Sequence, residues 1–187
     1  MIALDEDFPP AARVRLRRFT AADTAALFGM YSHPEVMRYW SRPAMTDAAQ
    51  ADALIQQILA DYETGANLPL VVERNEDNVF IGNCTLHQFH QASRRAEIGY
   101  SLARPYWGRG YMHEALQALV SHAFDRLDLN RLEADIDPRN IASAKSLDRL
   151  GFVKEGHLRE RWIVNGEVSD TWLYGLLRSD WRRARRD

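Results

Sequence analysis

Residues 96–116 read AEIGYSLARPYWGRGYMHEAL, and in this stretch a strand, a glycine-containing loop and a helix follow one another directly. The strand is expected from Glu97 to Ala103, because Arg104-Pro105 ends it. The helix is predicted by apolar residues at i, i+3, i+4 and i+7 spacing: Met112, Ala115, Leu116, Leu119, Val120, Ala123, Phe124 and Leu127. A strand that turns tightly into a long helix is typical of α/β proteins.

The rest of the chain alternates strands with helices but also pairs strands as hairpins. Strands are predicted at 14–18, 68–74, 79–89, 131–136, 153–164 and 168–177, and helices are predicted to begin at Thr20, Thr46-Asp47 and Ala142. Asn165-Gly166, between the last two strands, is the strongest short hairpin signal. The pattern predicts a single mixed, mostly antiparallel sheet with helices on both faces. With 187 residues, we expect one domain over residues 1–187, with its core at about 14–177.

The loop between the strand and the long helix suits an anion. Its two glycines let the backbone turn tightly, and the helix directs free N–H groups and its positive dipole end into the loop. We therefore expect residues 108–112 to hold a pyrophosphate through backbone N–H groups: Gly108, Arg109, Gly110, Tyr111 and Met112. Arg109 or Arg104 would add charge. The same pattern also fits a tight loop with no ligand. A nucleotide-hydrolysing P-loop is excluded because G-x-x-x-x-G-K-[ST] is absent.

Residues 96–116, followed by RLEADIDPRNIASAKSLDRLGF at 131–152, resemble the GNAT acetyltransferase superfamily. Within it they are similar to the RimJ/RimL branch, named for enzymes that acetylate the N-termini of ribosomal proteins. The similarity runs from about Val14 to Leu177. It implies an acyl-CoA N-acyltransferase fold, in which the strand at 97–103 splays from the strand at 131–136. This chain has Trp107 and Met112 where the family loop usually has Gln or Arg and Gly or Ala.

The resemblance also implies roles for individual residues. Backbone groups of Leu102 and Ala103 would pair with the pantetheine arm of acetyl-CoA, and the Leu102 N–H would contact the oxyanion. Asn140 would hydrogen-bond the pantetheine, and Ser143 would donate to the sulfur. Without the resemblance, Asn140 and Ser143 read as caps of the helix that begins there.

The sequence identifies the amine that accepts the acetyl group less specifically than it identifies the cofactor. Glu97 and Glu160 are the candidate bases, and Glu97 is equally a candidate ion-pair partner for Arg94 or Arg95. Four further side chains are expected to line the acceptor pocket: Tyr39, Trp40, His87 and Trp162. The branch resemblance favours a protein N-terminal α-amine as the acceptor, which would attack the thioester directly in a ternary complex. The alternatives are a small-molecule amine (amino acid, polyamine or antibiotic) and an acyl-CoA-binding module without catalysis.

Composition limits the partners. The formal net charge is −2, which gives no general attraction to nucleic acid or to an anionic membrane. The acidic, proline-containing start lacks the features of a signal peptide, and the single cysteine, Cys84, suits a reducing compartment, so we expect a cytoplasmic protein. No metal is expected; a homodimer is left open. The arginines near the C-terminus read as a solvated helix end.

Overall fold

A computed structural model describes residues 8–185, and residues 1–7, 186 and 187 lie outside the described part. The strands are β1 Val14–Arg17, β2 Leu68–Arg74, β3 Val79–His90, β4 Arg95–Leu102, β5 Arg131–Ile136, β6 Val153–Val164 and β7 Glu167–Leu177. The α-helices are α1 Thr24–Tyr31, α2 Pro34–Met37, α3 Ala48–Thr64, α4 Tyr111–Asp125, α5 Ile141–Arg149 and α6 Arg178–Ala184. All seven strands predicted from the pattern are confirmed, with boundaries within two residues.

The strands form one sheet in the order β1-β2-β3-β4-β5-β7-β6. Every neighbouring pair is antiparallel except β4 and β5, which are parallel. The pairing of β4 with β5 ends at Glu97 and Glu133, although β4 continues to Leu102 and β5 to Ile136. Beyond that point the two strands diverge, and the mixed sheet with splayed central strands is confirmed.

Helices cover both faces of the sheet, as predicted. On one face the apolar side of α4 and the start of α5 pack on alternate strand residues, with Leu116, Phe124 and Leu147 fully buried. On the other face α1, α2 and α3 enclose a second core around Leu27 and Ile55. In a strand such as β5, alternate residues are buried, so a one-residue slip would turn the apolar face outward, and burial therefore fixes the register.

The predicted helix and turn signals are found. Asp47 caps α3, because its carboxylate accepts the Ala49 N–H at 2.9 Å. Asn165 and Gly166 both have positive φ, as the tight turn between β6 and β7 requires. Among the arginines near the C-terminus, Arg178 is not simply solvated, since it donates to the Leu129 carbonyl at 2.6 Å. Arg186, the last arginine of this group, lies outside the described residues.

None of the helices found between residues 8 and 185 is both long and apolar enough to cross a bilayer. Over the same residues, no group of three or more His, Cys, Asp or Glu side chains is arranged to hold a metal ion.

Candidate active site

A cavity of about 1000 Å³ opens where β4 and β5 separate. Its walls are the residues 34–44 of α2 and the loop after it, the end of β4, the end of β5, the first turn of α5 and the tip of the β6–β7 hairpin. Drug-sized ligands occupy about 300–1,000 Å³. The cavity is therefore large enough for the end of a long cofactor arm together with a second molecule.

The two faces of β4 lead to different parts of this cavity. Successive side chains of a strand point to opposite faces. Ser101 reaches α1, where its hydroxyl contacts the Met30 sulfur at 3.5 Å, so residues 97, 99 and 101 share the face of α1–α3. Tyr100 reaches α5, where it contacts Ser143, so residues 98, 100 and 102 share the opposite face. Glu97 and Tyr100 thus line the same cavity from opposite sides of the sheet.

The loop before α4 has the backbone conformation expected of an anion-binding loop. Gly108 and Gly110 have φ of 73° and 82°, and Gly110 is the N-cap of α4. A Cβ on Gly108 would meet no atom within 4 Å, so the space beside the loop is open. Gly108 and Met112 line the cavity. The Met112 side chain is buried in the core, which leaves its backbone N–H to face a ligand.

Two arginines close to the loop, Arg104 and Arg13, have acidic partners within the protein. Arg104 donates to Glu35 at 2.8 Å and its guanidinium lies 4.8 Å from the centre of the Trp107 ring. This pair ties α2 to the loop. Arg13, which the sequence did not single out, pairs with Glu114, and one of its nitrogens lies 3.2 Å from the place a Gly110 Cβ would take. Of the two arginines expected to add charge, Arg104 is therefore already neutralised by Glu35.

Backbone hydrogen bonds at the end of β4 bear on the role expected of Ala103. The Ala103 N–H donates to the Ile81 carbonyl at 2.8 Å, and the Ala103 carbonyl accepts from Tyr106 at 3.0 Å. Both groups are used inside the protein, so Ala103 is poorly suited to pair with a pantetheine amide. In an antiparallel pair the backbone groups of adjacent residues point to opposite sides. The Leu102 N–H therefore points into the splay. The Leu102 carbonyl lies on the same side and accepts the Trp107 indole N–H at 2.6 Å.

Asn140 and Ser143 lie together at the start of α5 and both line the cavity. The Asn140 side-chain oxygen accepts the Ser143 N–H at 3.1 Å, which makes Asn140 the N-cap of α5. The cap uses only the oxygen, so the two N–H donors of the amide are left for the cavity. The Ser143 side chain is buried, and its Oγ lies 2.7 Å from the Tyr100 hydroxyl.

Tyr100 is the residue of this site that the sequence analysis missed. Burial raises its pKa to about 12, although its hydrogen bond with Ser143 acts in the opposite direction. Strand alternation places Tyr100 on the face away from Glu97, but nothing in the local sequence indicates that α5 lies opposite. That contact depends on the long-range pairing of β4 with β5.

On the other face, Glu97 and His87 are directly opposite each other in the β3–β4 pair, and both line the cavity. Burial raises the pKa of Glu97, and the nearby Asp135 and Glu133 carboxylates add to the effect. Burial lowers the pKa of His87. Neither Arg94 nor Arg95 holds Glu97 in an ion pair among residues 8–185, since Arg94 bonds Asp128 and Arg95 bonds Glu133.

The expected aromatic residues also line the cavity. They are Tyr39, Trp40 and Trp162. Trp40 packs against Tyr31 at a ring separation of 5.6 Å, and the Trp162 indole N–H points to Asp135 at 3.4 Å. Asp135 also accepts the Thr171 hydroxyl at 2.8 Å. The cavity therefore has a carboxylate-bearing, aromatic side on the α1–α3 face.

Of the candidate bases and acceptor-pocket residues, only Glu160 lies outside the cavity lining, because the lining residues of the hairpin are 161, 162, 164, 165, 167 and 169. Five residues expected to hold the cofactor also lie outside the lining: Ala103, Arg104, Arg109, Gly110 and Tyr111. Glu160 lies in a bulge of β6, has a φ of 52°, and its N–H donates to Asp170 at 2.8 Å. The bulge accounts structurally for the positive φ of Glu160. Glu160 is accordingly a poor candidate for a base.

Comparisons with known proteins agree with this geometry. A family model described as acetyltransferase (GNAT) domain matches residues 13–153. An uncharacterised N-acetyltransferase of Bacillus licheniformis, p20, is 38% identical over 170 residues, which are 90% of this chain and 95% of the relative. The ribosomal protein uS5-alanine N-acetyltransferase of Escherichia coli is 34% identical over 88 residues, 47% of this chain and 45% of the relative. Spermidine N-acetyltransferase from Vibrio cholerae, solved with CoA and spermine, has a TM-score of 0.81 at 22% identity over 90% of this chain and 98% of that chain, a likeness of fold alone.

Proposed function

The chain belongs to the GNAT acetyltransferase family and is an acetyl-CoA-dependent N-acetyltransferase, and we propose that its acceptor is the α-amine of a protein N-terminus, which attacks the thioester directly. The observation that carries this proposal is the position of Glu97 and Ser143 on opposite faces of the same splay. A base for the amine and a donor for the sulfur can then act at one time without contacting each other.

Acetyl-CoA fits the side of the cavity formed by the loop, β4 and α5. The backbone N–H groups at the start of α4 would hold the pyrophosphate, with Gly108 leaving room for it. The side-chain amide of Asn140 would donate to the pantetheine arm while its oxygen caps α5. The Leu102 N–H, which points into the splay, would donate to the thioester oxygen as negative charge develops there.

The amine needs to lose a proton, and its pKa sets how much help is required. An α-amine with a pKa of about 8 is about one-tenth neutral at pH 7, which costs about 1.4 kcal/mol; lysine, at about 10.4, is neutral in ~0.04%, which costs about 4.6 kcal/mol. Glu97, which lines the cavity, would take the proton, directly or through water. Its raised pKa makes it a better proton acceptor than an ordinary surface glutamate.

The leaving group needs little assistance. The thiol of CoA has a pKa of about 8.5, so the thiolate is a good leaving group near neutral pH. The buried Ser143 hydroxyl would stabilise it with a hydrogen bond while the C–S bond breaks. This contact is the feature that a module which only binds acyl-CoA would not need.

The acceptor is proposed to be a protein N-terminus for two reasons. The relative named for acetylating ribosomal protein uS5 is 34% identical to this chain over 88 residues, whereas a spermidine N(1)-acetyltransferase of Vibrio cholerae is 23% identical over 168 residues. A carboxylate base such as Glu97 also matches the small deprotonation cost of an α-amine. A small cationic amine is the second candidate, because Glu97 and Asp135 place two carboxylates in the same pocket. We also keep the cytoplasm as the proposed location, based on the single cysteine.

The test is kcat/KM measured by CoA release with a thiol reagent. The substrates are short peptides with a free N-terminus, the same peptides with a blocked N-terminus and a free lysine, and free spermidine. We expect the free N-termini to react fastest, with a rate that rises with pH and levels off near about pH 8. Faster turnover of the lysine peptides or of spermidine would refute the proposed acceptor. No CoA release with any amine, from protein that binds acetyl-CoA, would refute catalysis.

A further inference from the structure

Tyr100 and Ser143 belong to elements that are distant in sequence but adjacent across the splay. The Tyr100 hydroxyl lies 2.7 Å from the Ser143 Oγ and 3.3 Å from the Ser143 carbonyl oxygen. Both residues line the cavity. A contact of 2.7 Å is the usual length of an O–H···O hydrogen bond, so one of the two hydroxyls donates to the other.

The direction of this hydrogen bond decides whether Ser143 can serve the sulfur. If Ser143 donated to Tyr100, its only proton would be turned away from the leaving group. If Tyr100 donates, the Ser143 oxygen is held in place and its own proton can point into the cavity. A serine in a helix commonly bonds the carbonyl four residues earlier, as Ser146 does to Ala142 at 2.9 Å in the same helix. The Ser143 Oγ instead has the phenol as its partner.

We propose that Tyr100 is a positioning residue for acetyl transfer, whose hydroxyl donates to the Ser143 Oγ and so directs the Ser143 proton to the sulfur of acetyl-CoA. This inference rests on the proposed donor role of Ser143. In the balanced step, the amine nitrogen bonds the carbonyl carbon and the C–S bond breaks with its electron pair on sulfur. The proton lost by the amine goes to Glu97, while the thiolate accepts the hydrogen bond from Ser143.

Tyr100 keeps its own proton throughout this step. Its pKa is raised to about 12, whereas a thiol has a pKa of about 8.5, so complete transfer from the phenol to the thiolate would occur only about once in ~3,000. The phenol is therefore neutral over the whole physiological pH range. Its effect on the reaction passes through the orientation of Ser143.

The principal test compares Tyr100→Phe, Ser143→Ala and the double variant. Tyr100→Phe removes one oxygen and keeps the ring that packs in the core. The loss of one hydrogen bond predicts a decrease in kcat of about 3- to 10-fold, with KM for acetyl-CoA unchanged. In the Ser143→Ala background the same change should have no further effect, because the two residues act as one unit. Tyr174→Phe, which removes the hydroxyl of another buried tyrosine of this core, is the control and should keep wild-type kcat.

Three results of the kcat measurements would contradict parts of the proposal. Wild-type kcat in Tyr100→Phe beside a lowered kcat in Ser143→Ala would overturn the positioning role alone and leave the function of Ser143 intact. The positioning role would also be overturned if Tyr100→Phe lowered kcat by the same factor in the wild-type protein and in the Ser143→Ala background, because Tyr100 would then act independently of Ser143. Wild-type kcat in Ser143→Ala would overturn the proposed donor itself.

A binding measurement separates positioning from a general structural effect. If Ser143 presents its proton to sulfur, CoA should bind more tightly as the pH rises through the thiol pKa of about 8.5, whereas desulfo-CoA should not. Tyr100→Phe should flatten this pH dependence for CoA and leave the affinity for desulfo-CoA unchanged. Equal losses of affinity for the two ligands in Tyr100→Phe would show a structural effect only and would overturn the proposal.

Discussion

Asn140 has two roles in the structure that two substitutions can separate. Its side-chain oxygen caps α5 by accepting the Ser143 N–H at 3.1 Å, and its N–H donors are available to the cavity. Asn140→Ala removes both groups. Asn140→Asp keeps the accepting oxygen and removes the donors, and its negative charge is favourable at the start of a helix.

The expected magnitudes differ for the two variants. Replacing an Asn cap with Ala costs about 0.5–2 kcal/mol, and for a chain of 187 residues each kcal/mol lowers Tm by about 2–4 °C. Asn140→Ala should therefore lose a few degrees, whereas Asn140→Asp should unfold at or above the wild-type Tm. Loss of one hydrogen bond to acetyl-CoA should weaken binding by about 2- to 10-fold in both variants.

Thermal unfolding without ligand and calorimetric titration with acetyl-CoA measure the two roles separately. The reasoning is refuted in its cofactor part if Asn140→Asp binds acetyl-CoA with the wild-type Kd, because Asn140 is then only a cap. It is refuted in its structural part if Asn140→Asp loses as much Tm as Asn140→Ala. Only the combination of retained stability and weakened binding supports both roles.

Two further substitutions test the loop and the base. Gly110→Asp should weaken acetyl-CoA binding sharply, because it places a negative charge at the proposed phosphate site. The control is Gly65→Asp, which introduces the same residue at another positive φ and should bind acetyl-CoA normally. Equal calorimetric affinities of the two variants would exclude the loop as the phosphate-binding site. Burial and Asp135 raise the pKa of Glu97 above its ordinary 4.5, so the stability from its tighter proton binding is present below that value and lost as pH rises through the folded pKa. Glu97→Gln should therefore gain Tm relative to wild type as the pH rises above 4.5. It should also lower kcat, whereas Glu160→Gln should keep wild-type kcat; wild-type kcat in Glu97→Gln would exclude Glu97 as the base.

The local features of this chain were predictable because each depends on neighbouring residues. Periodicity located α4, and the Asn165-Gly166 turn located the last hairpin within one residue. Gly108 and Gly110 were expected in a tight loop, and their positive φ values agree. Such features are fixed by steric and solvation preferences that act over a few residues.

Two site predictions depend on contacts between distant parts of the chain. The Ala103 N–H, expected to pair with the pantetheine arm, donates to Ile81 across the sheet, which makes Ala103 less suitable for that role. Glu160 was a plausible base until the bulge in β6 placed it outside the cavity wall. Neither result could be read from the local sequence, because strand register and bulges are set by pairing with another strand.

The early end of the β4–β5 pairing explains why the two sides of the site have different chemistry. Where parallel strands separate, backbone groups such as the Leu102 N–H lose a sheet partner and can bind a substrate instead. Alternation then directs Glu97 to the face of α1–α3 and Tyr100 to the face of α5. Because the sheet lies between them, the Glu97 carboxylate and the hydroxyl groups of Tyr100 and Ser143 do not contact each other directly. An amine and a thioester that enter from opposite faces would meet only in the gap, beside the Leu102 N–H, which is the geometry that direct transfer needs.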